Sequence, residues 1–219
     1  SGTVYRAKLS GDSMVAWCLR THAGRFLVVL SACGLIACSE DRGQNIVDSR
    51  VADLLSEMSI EQKVAQMIQG EIAHVTPDDM KRFGLGSVLN GGGSFPDKNK
   101  YASLQDGVEL ADSYYLASVD ISEGNAGIPT IWGTDAVHGH NNVIGATIFP
   151  HNIALGAVGD AKLAAAIAEA TAREVSATGI DWIFAPTVAV ALDARWGRTY
   201  ESYGSDPTMT GDFAGGIVE

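Results

Sequence analysis

Apolar positions recur with two different periods along the chain, and the changes of period divide it into helices and strands. Val51, Leu54, Leu55 and Met58 fall at i, i+3, i+4 and i+7, one face of a helix. Ser59 and Gln62 make a capping box for a second helix, whose apolar face is Val64, Met67 and Ile68. Pro77 opens a short third helix at the permitted first-turn position, and Gly84 stops it. The short apolar runs at Ser87–Leu89, Pro129–Trp132 and Asp181–Ala185 predict strands. Helical stretches separate them, from about Tyr101 to Ser118 and from Lys162 to about Ser176. The second is Ala-rich, capped by Asp160 and closed by Gly179. Pro207 opens a last helix.

Strand, loop and helix repeated three times predict βαβ units and a parallel sheet in an α/β fold. The loops after the strands are long and polar, whereas the returns to the next strand, such as Thr178-Gly179-Ile180, are short. That asymmetry places function at the C-terminal ends of the strands, as in a (β/α)8 barrel or a doubly wound sheet.

Charge changes the picture at the N-terminus. Residues 1–37 carry Arg6, Lys8, Arg20 and Arg25 against Asp12, a net of +3; the whole chain stands at −11, so residues 38–219 carry −14. Arg20 and Arg25 precede an apolar run from Phe26 to Ala37, a signal-peptide pattern too short to span a membrane. The run ends Leu35-Ile-Ala-Cys38-Ser39, which resembles a bacterial lipobox, so Cys38 is the expected lipidation site and Met14 a plausible start. Residues 1–38 are therefore read as a leader, 39–50 as a tether and 51–219 as the folded body. The expected location is exported: periplasmic, or anchored by lipid to the outer membrane of a Gram-negative-type bacterium. Cys18, Cys33 and Cys38 are the only cysteines, so disulfides, Cys-based zinc sites and a Cys nucleophile are excluded from the body. No basic stripe exists, which argues against a nucleic-acid partner.

Three loops carry candidate chemistry. Asn90-Gly-Gly-Gly-Ser94 lacks the Lys-Ser/Thr of a phosphate loop, so its glycines predict close backbone approach instead. The loop from Thr134 to Asn152 holds Asp135, His138, His140, Asn141, Asn142, His151 and Asn152, far more hydrogen-bonding capacity than a structural turn needs. Asp135, at the expected strand end, can accept two hydroxyls of a polyol at once, or can cap its own turn. His138 and His140 form an HxH pair that would share one face of a strand and could ligate a metal, although Gly139 between them favours loop. The third loop packs Asp193, Arg195, Trp196, Arg198, Tyr200, Glu201 and Tyr203 into a short span. Aromatic faces stack on the C–H faces of sugars, and arginine offers a rigid fork of donors. The same loop could equally be an ion-paired rim, with Arg195 structural and Arg198 facing ligand.

The segments GLGSVLNGGGSFP (Gly84–Pro96), GTDAVHGHNNVIGATIFPHNIALGA (Gly133–Ala157) and ATAREVSATGIDWIFAPTVAVALDARWGRTYESYGSDP (Ala170–Pro207) together resemble glycoside hydrolase family 3, from about Val51 onward. The likeness is strongest to its bacterial β-glucosidases and plant β-glucan exohydrolases. The resemblance implies an N-terminal (β/α)8 barrel, of which about the first three βα units plus N-terminal helices are present. It implies retaining exo-hydrolysis of terminal β-D-glucosyl residues of β-glucosides or β-glucans. It implies substrate-binding roles for Asp135 and Arg198, and no cofactor and no metal.

The family's Lys-His pair, its nucleophile and its acid/base are absent from this sequence. No catalytic residue is therefore assigned, and an inactive N-terminal fragment of a longer enzyme is expected. Two alternatives stand beside this reading: a metal-dependent barrel hydrolase using His138 and His140, and a non-catalytic membrane-tethered sugar-binding protein.

Overall fold

The structure, a computed structural model, describes residues 48–218. The leader, Cys38 and most of the tether lie outside the described residues.

Residues 48–57 are helical (α1), so the helix begins inside the stretch read as tether. Ser59 caps α2 (Ile60–Gln66) with the expected reciprocal box, in which the Ser59 side chain accepts from the Gln62 backbone and Gln62 answers. A strand the sequence pattern did not reveal follows at once: β1 (Gln69–Glu71). It has three residues, two of them polar, and therefore no legible period. Pairing with β2 (Ser87–Asn90) defines it. Between them α3 (Pro77–Phe83) starts from a Thr76–Asp79 box and ends at Gly84, whose φ of 64° is the left-handed cap conformation. The next helix, α4 (Leu104–Val119), begins three residues later than expected, because Ser103 and Asp106 form its capping box. Then come β3 (Ile131–Thr134), α5 (Asn152–Val158), α6 (Ala161–Ser176), β4 (Trp182–Ile183) and α7 (Pro207–Val218).

The four strands pair in parallel in the order β1-β2-β3-β4, an arc of successive βα units as a barrel requires. Register decides what meets at its upper edge. Asn90 pairs with Thr134, and Thr134 with Ile183, so the loops that leave β2, β3 and β4 start side by side.

One apolar cluster fills the inner side of the helices, with Met80, Val88, Tyr114, Trp132, Val175 and Ile180 all buried. Each such side chain contributes on the order of 2 kcal/mol on leaving water. A second cluster, Leu155, Ala164, Tyr203 and Phe213, binds α5, α6 and α7 together. The predicted apolar faces of α1 and α2 do not join either cluster. Val51, Leu54, Leu55, Val64, Met67 and Ile68 are all exposed, Met67 at 78%. The helices form where the periodicity predicts them, but the side of α2 that reaches the core carries buried Ala65 instead of Val64, Met67 and Ile68, and residues 51–57 of α1 are exposed on every side. Among the described residues no helix is long and apolar enough to cross a membrane.

Candidate active site

Asp135 follows the last residue of β3 and is exposed. Its carboxylate makes no hydrogen bond or ion pair among the described residues, so it does not cap its own turn. It lines a cavity of about 230 Å³ together with Val137, His138, Asn141, His151, Arg198 and Glu201. The sheet thus brings Asp135 and Arg198, 63 positions apart in sequence, to the two sides of one pocket.

Arg198 is held from behind. Its Nε donates to Glu201 Oε1 at 2.9 Å and its Nη2 to Glu201 Oε2 at 2.5 Å, a two-pronged pairing. The hydrogen bonds from Arg198 pull the Glu201 carboxyl below its usual range, against a smaller opposing effect of burial. The same pairing raises Arg198, to which the charge of Asp135 adds a little. Two-thirds of the Arg198 side chain remains exposed. The guanidinium donors not used on Glu201 are therefore available to a ligand.

Arg195 behaves differently. It donates through Nε and Nη2 to Asp193, two residues away, and its side chain is 90% exposed. It belongs to the ion-paired rim, while Arg198 belongs to the pocket. Among the aromatics, Trp196 and Tyr200 are partly exposed, but Tyr203 is buried against Phe213 at 4.8 Å between centroids. Tyr203 is therefore a core residue and not a platform for ligand.

The HxH pair does not form a metal site. His138 Nδ1 meets the Phe149 carbonyl at 2.9 Å, so that nitrogen carries the proton, and the Phe149 N–H returns a bond to the His138 carbonyl at 2.8 Å. His140 is buried and turned to a different cavity, with Nε2 3.1 Å from Thr178 Oγ1. That hydroxyl already donates to Val175 O at 2.6 Å, so His140 Nε2–H is the donor. Burial pushes the His140 pKa down, with Glu174 opposing weakly. Gly139 separates the two rings with a φ of 112°, a backbone no strand adopts. A Cβ there would lie 2.1 Å from Thr147 O. No group of three or more potential metal ligands exists among the described residues.

Other loop residues are structural scaffolding. Glu174 on α6 accepts from the Thr147 N–H and hydroxyl, both at 2.9 Å, which fastens the long β3 loop to the helix. Asn142 donates to Thr134 Oγ1 at 3.0 Å and accepts from Gly93 N at 3.5 Å, but a Cβ at Gly92 or Gly93 would meet nothing within 4 Å, so the expected close backbone approach is not what these glycines serve among the described residues. Buried Ser202 Oγ lies 2.8 Å from both Ala189 O and Gly204 O, which share its single hydrogen, and so joins the β4 loop to the arginine turn. The ring of His151 lies against His138 at 3.8 Å between centroids, tilted by 37°, and meets Tyr200 edge-on at 4.7 Å. Its pKa is lowered first by burial and then by His138, while Glu201 opposes. An apolar cleft of about 270 Å³ between α5, α6, α7 and β4 carries no charged side chain and offers packing surface, not chemistry.

A parallel βα arc with a free carboxylate and a braced guanidinium beside one pocket at its C-terminal strand ends is a barrel-type scaffold. The family model described as "Glycosyl hydrolase family 3 N terminal domain" matches residues 59–219, and the chain belongs to that family. It is 33% identical over 172 residues to a lysosomal beta glucosidase of Dictyostelium discoideum, covering 73% of this chain and 21% of that protein. It is 25% identical over 163 residues to a periplasmic beta-glucosidase of Salmonella typhimurium, covering 74% and 19%. The structure of an exo-1,3/1,4-beta-glucanase from a Pseudoalteromonas species superimposes with a TM-score of 0.75 at 54% identity, covering 79% of this chain and 22% of that one. The chain spans about a fifth of the length of these relatives.

Proposed function

We propose that this chain forms the sugar-holding side of the active site of a retaining, exo-acting β-glucosidase that removes terminal glucosyl residues from β-glucosides and β-glucans. The observation that carries this reading is the unengaged Asp135 carboxylate facing Arg198 across one pocket. Asp135 accepts hydrogen bonds from two adjacent hydroxyls of the non-reducing sugar. Arg198, already fixed by Glu201, donates to a third oxygen. The exposed faces of Trp196 and Tyr200 offer stacking surface at the rim.

The bond-breaking carboxylates are supplied by polypeptide outside the described residues, which act as an N-terminal part of a longer enzyme. Neither nearby candidate suits the acid role, and each is occupied by an arginine. Glu201 is committed to Arg198 and Asp193 to Arg195, and both pairings lower the carboxyl pKa. A general acid at neutral pH needs the opposite shift. The names of the Dictyostelium and Salmonella relatives and of the Pseudoalteromonas glucanase support β-glucosyl substrates. The name of the Salmonella protein, together with the leader pattern, supports export, with Cys38 as a lipid anchor.

The test is an assay of the full-length gene product on aryl β-D-glucoside, β-D-xyloside and N-acetyl-β-D-glucosaminide. The glucoside should be preferred, and proton NMR should show β-glucose as the first anomer released. An α-anomer first would overturn the retaining assignment. Glucose binding without turnover of any glycoside would favour the sugar-binding alternative. Metabolic labelling with a palmitate analogue should mark the protein and be abolished by Cys38→Ser.

A further inference from the structure

Asn152, the first residue of α5, lies outside the polar pocket and is only 1% exposed. Both hydrogens of its amide are used. Nδ2 donates to Thr187 Oγ1 at 2.7 Å and to the Glu201 backbone carbonyl at 2.9 Å. Thr187 Oγ1 donates to that same carbonyl at 2.6 Å. The reversed amide orientation would oppose two acceptors at Glu201, so the donor assignment follows from the network. The three bonds close a ring that joins the start of α5, the loop after β4 and the turn that follows Arg198.

Glu201 is the hinge of this arrangement. Its carbonyl is fixed by Asn152 and Thr187, and its carboxylate grips Arg198. The preceding residue of the chain, His151, packs edge-on against Tyr200 in the same turn. Two consecutive residues at the start of α5 therefore seize the Thr199–Glu201 turn from two sides. An unbraced arginine carries rotamer entropy that ligand binding would have to remove. A brace that fixes Glu201 lowers that cost before substrate arrives.

We infer that Asn152 is a positioning residue: through the Glu201 carbonyl it holds the Arg198 fork at its working distance from Asp135. This rests on the reading that Asp135 and Arg198 hold a sugar.

The experiment is a double-mutant cycle in the full-length enzyme, with kcat/KM measured on an aryl β-D-glucoside. Asn152→Ala should lower kcat/KM roughly 10- to 100-fold, the range expected when a binding group is misplaced by about an ångström. In an Arg198→Ala background the same change should cost less than about threefold, because the residue it positions is gone. An equal loss in both backgrounds would mean a general structural role and would overturn the inference, as would no loss at all. If Asn152→Ala does not fold, Thr187→Val removes the two bonds that Thr187 makes and leaves the Asn152–Glu201 bond. It should show the same dependence on Arg198 at smaller amplitude, and equal losses in the two backgrounds count against the inference. Asp135→Asn separates the two levels. If it leaves kcat/KM unchanged, the sugar-site reading falls and takes this inference with it. If Asp135→Asn and Arg198→Ala are damaging while Asn152→Ala is silent, the inference alone falls.

Discussion

Replacing Asp135 by Asn removes one negative charge and almost nothing else. The side chain is exposed, nearly isosteric with Asn, and free of hydrogen bonds to the described residues. A surface change of that kind shifts stability by about 0.5 kcal/mol or less. Its effect on substrate should be much larger. A hydrogen bond to a charged group contributes about 1.5–3 kcal/mol, and a neutral one about 0.5–1.5. Two sugar hydroxyls on one carboxylate therefore lose about 2–3 kcal/mol in the transition state when the charge is removed. At 1.36 kcal/mol per decade this is a fall in kcat/KM of roughly 30- to 150-fold. The assay is steady-state hydrolysis of an aryl β-D-glucoside by the full-length protein, with thermal denaturation of both forms measured in parallel. A kcat/KM within about threefold of wild type refutes the sugar-holding role. A loss of activity matched by a large fall in Tm refutes the premise that Asp135 is structurally unengaged.

Arg198→Lys should lower kcat/KM by at least about tenfold, since a single ammonium cannot grip Glu201 through two bonds and still offer a donor to ligand; activity restored by Lys would reduce the role of Arg198 to charge alone. Gly156→Ala should destabilise the protein by about 2–3 kcal/mol through overpacking, because the added Cβ would sit 1.7 Å from Tyr203 O. For a domain of this size that is a Tm lowered by roughly 4–12 °C, and an unchanged melting curve would contradict the packing of α5 on the arginine turn. Acid should also destabilise. The pKa values of His140 and His151 are both lowered from 6.5 by burial, so folding favours their neutral forms. Their contribution is complete above the unfolded value and is lost as pH falls through the lower folded values. Tm should fall below pH 6.5 in the wild type and fall less steeply in His140→Gln, a difference that thermal melts across pH 4.5–7.5 would detect.

The sequence determined most of the local elements, though not the short β1 or α5. Ser59–Gln62, Pro77, Asp160 and Pro207 marked helix starts because caps and proline act within one turn of chain. The alternation of apolar runs with helical stretches determined a parallel α/β arrangement, and the crowding of polar residues after Pro129–Trp132 located the loop that carries Asp135. Short-range chemistry is legible because its partners are neighbours in sequence. Even so, Gln69–Glu71 escaped notice, since a three-residue polar strand has no period of its own and exists only by pairing with Ser87–Leu89.

Tertiary structure decided which of several chemically similar residues belong together. His138 and His140 look equivalent in sequence, yet the left-handed Gly139 turns one to Phe149 and the polar pocket and the other to Thr178 and the core. Arg195 and Arg198 are equally plausible forks, yet the first is spent on Asp193 at the rim and the second faces Asp135. Tyr203 could have stacked on sugar but was taken by Phe213. Nothing in the sequence connects Asn152 with Glu201, which lie 49 positions apart; the register that sets β3 beside β4 brings their loops together. Sequence patterns encode what a residue can do, but only the packing of distant segments decides which partner consumes a donor or acceptor and which group is left free for a ligand.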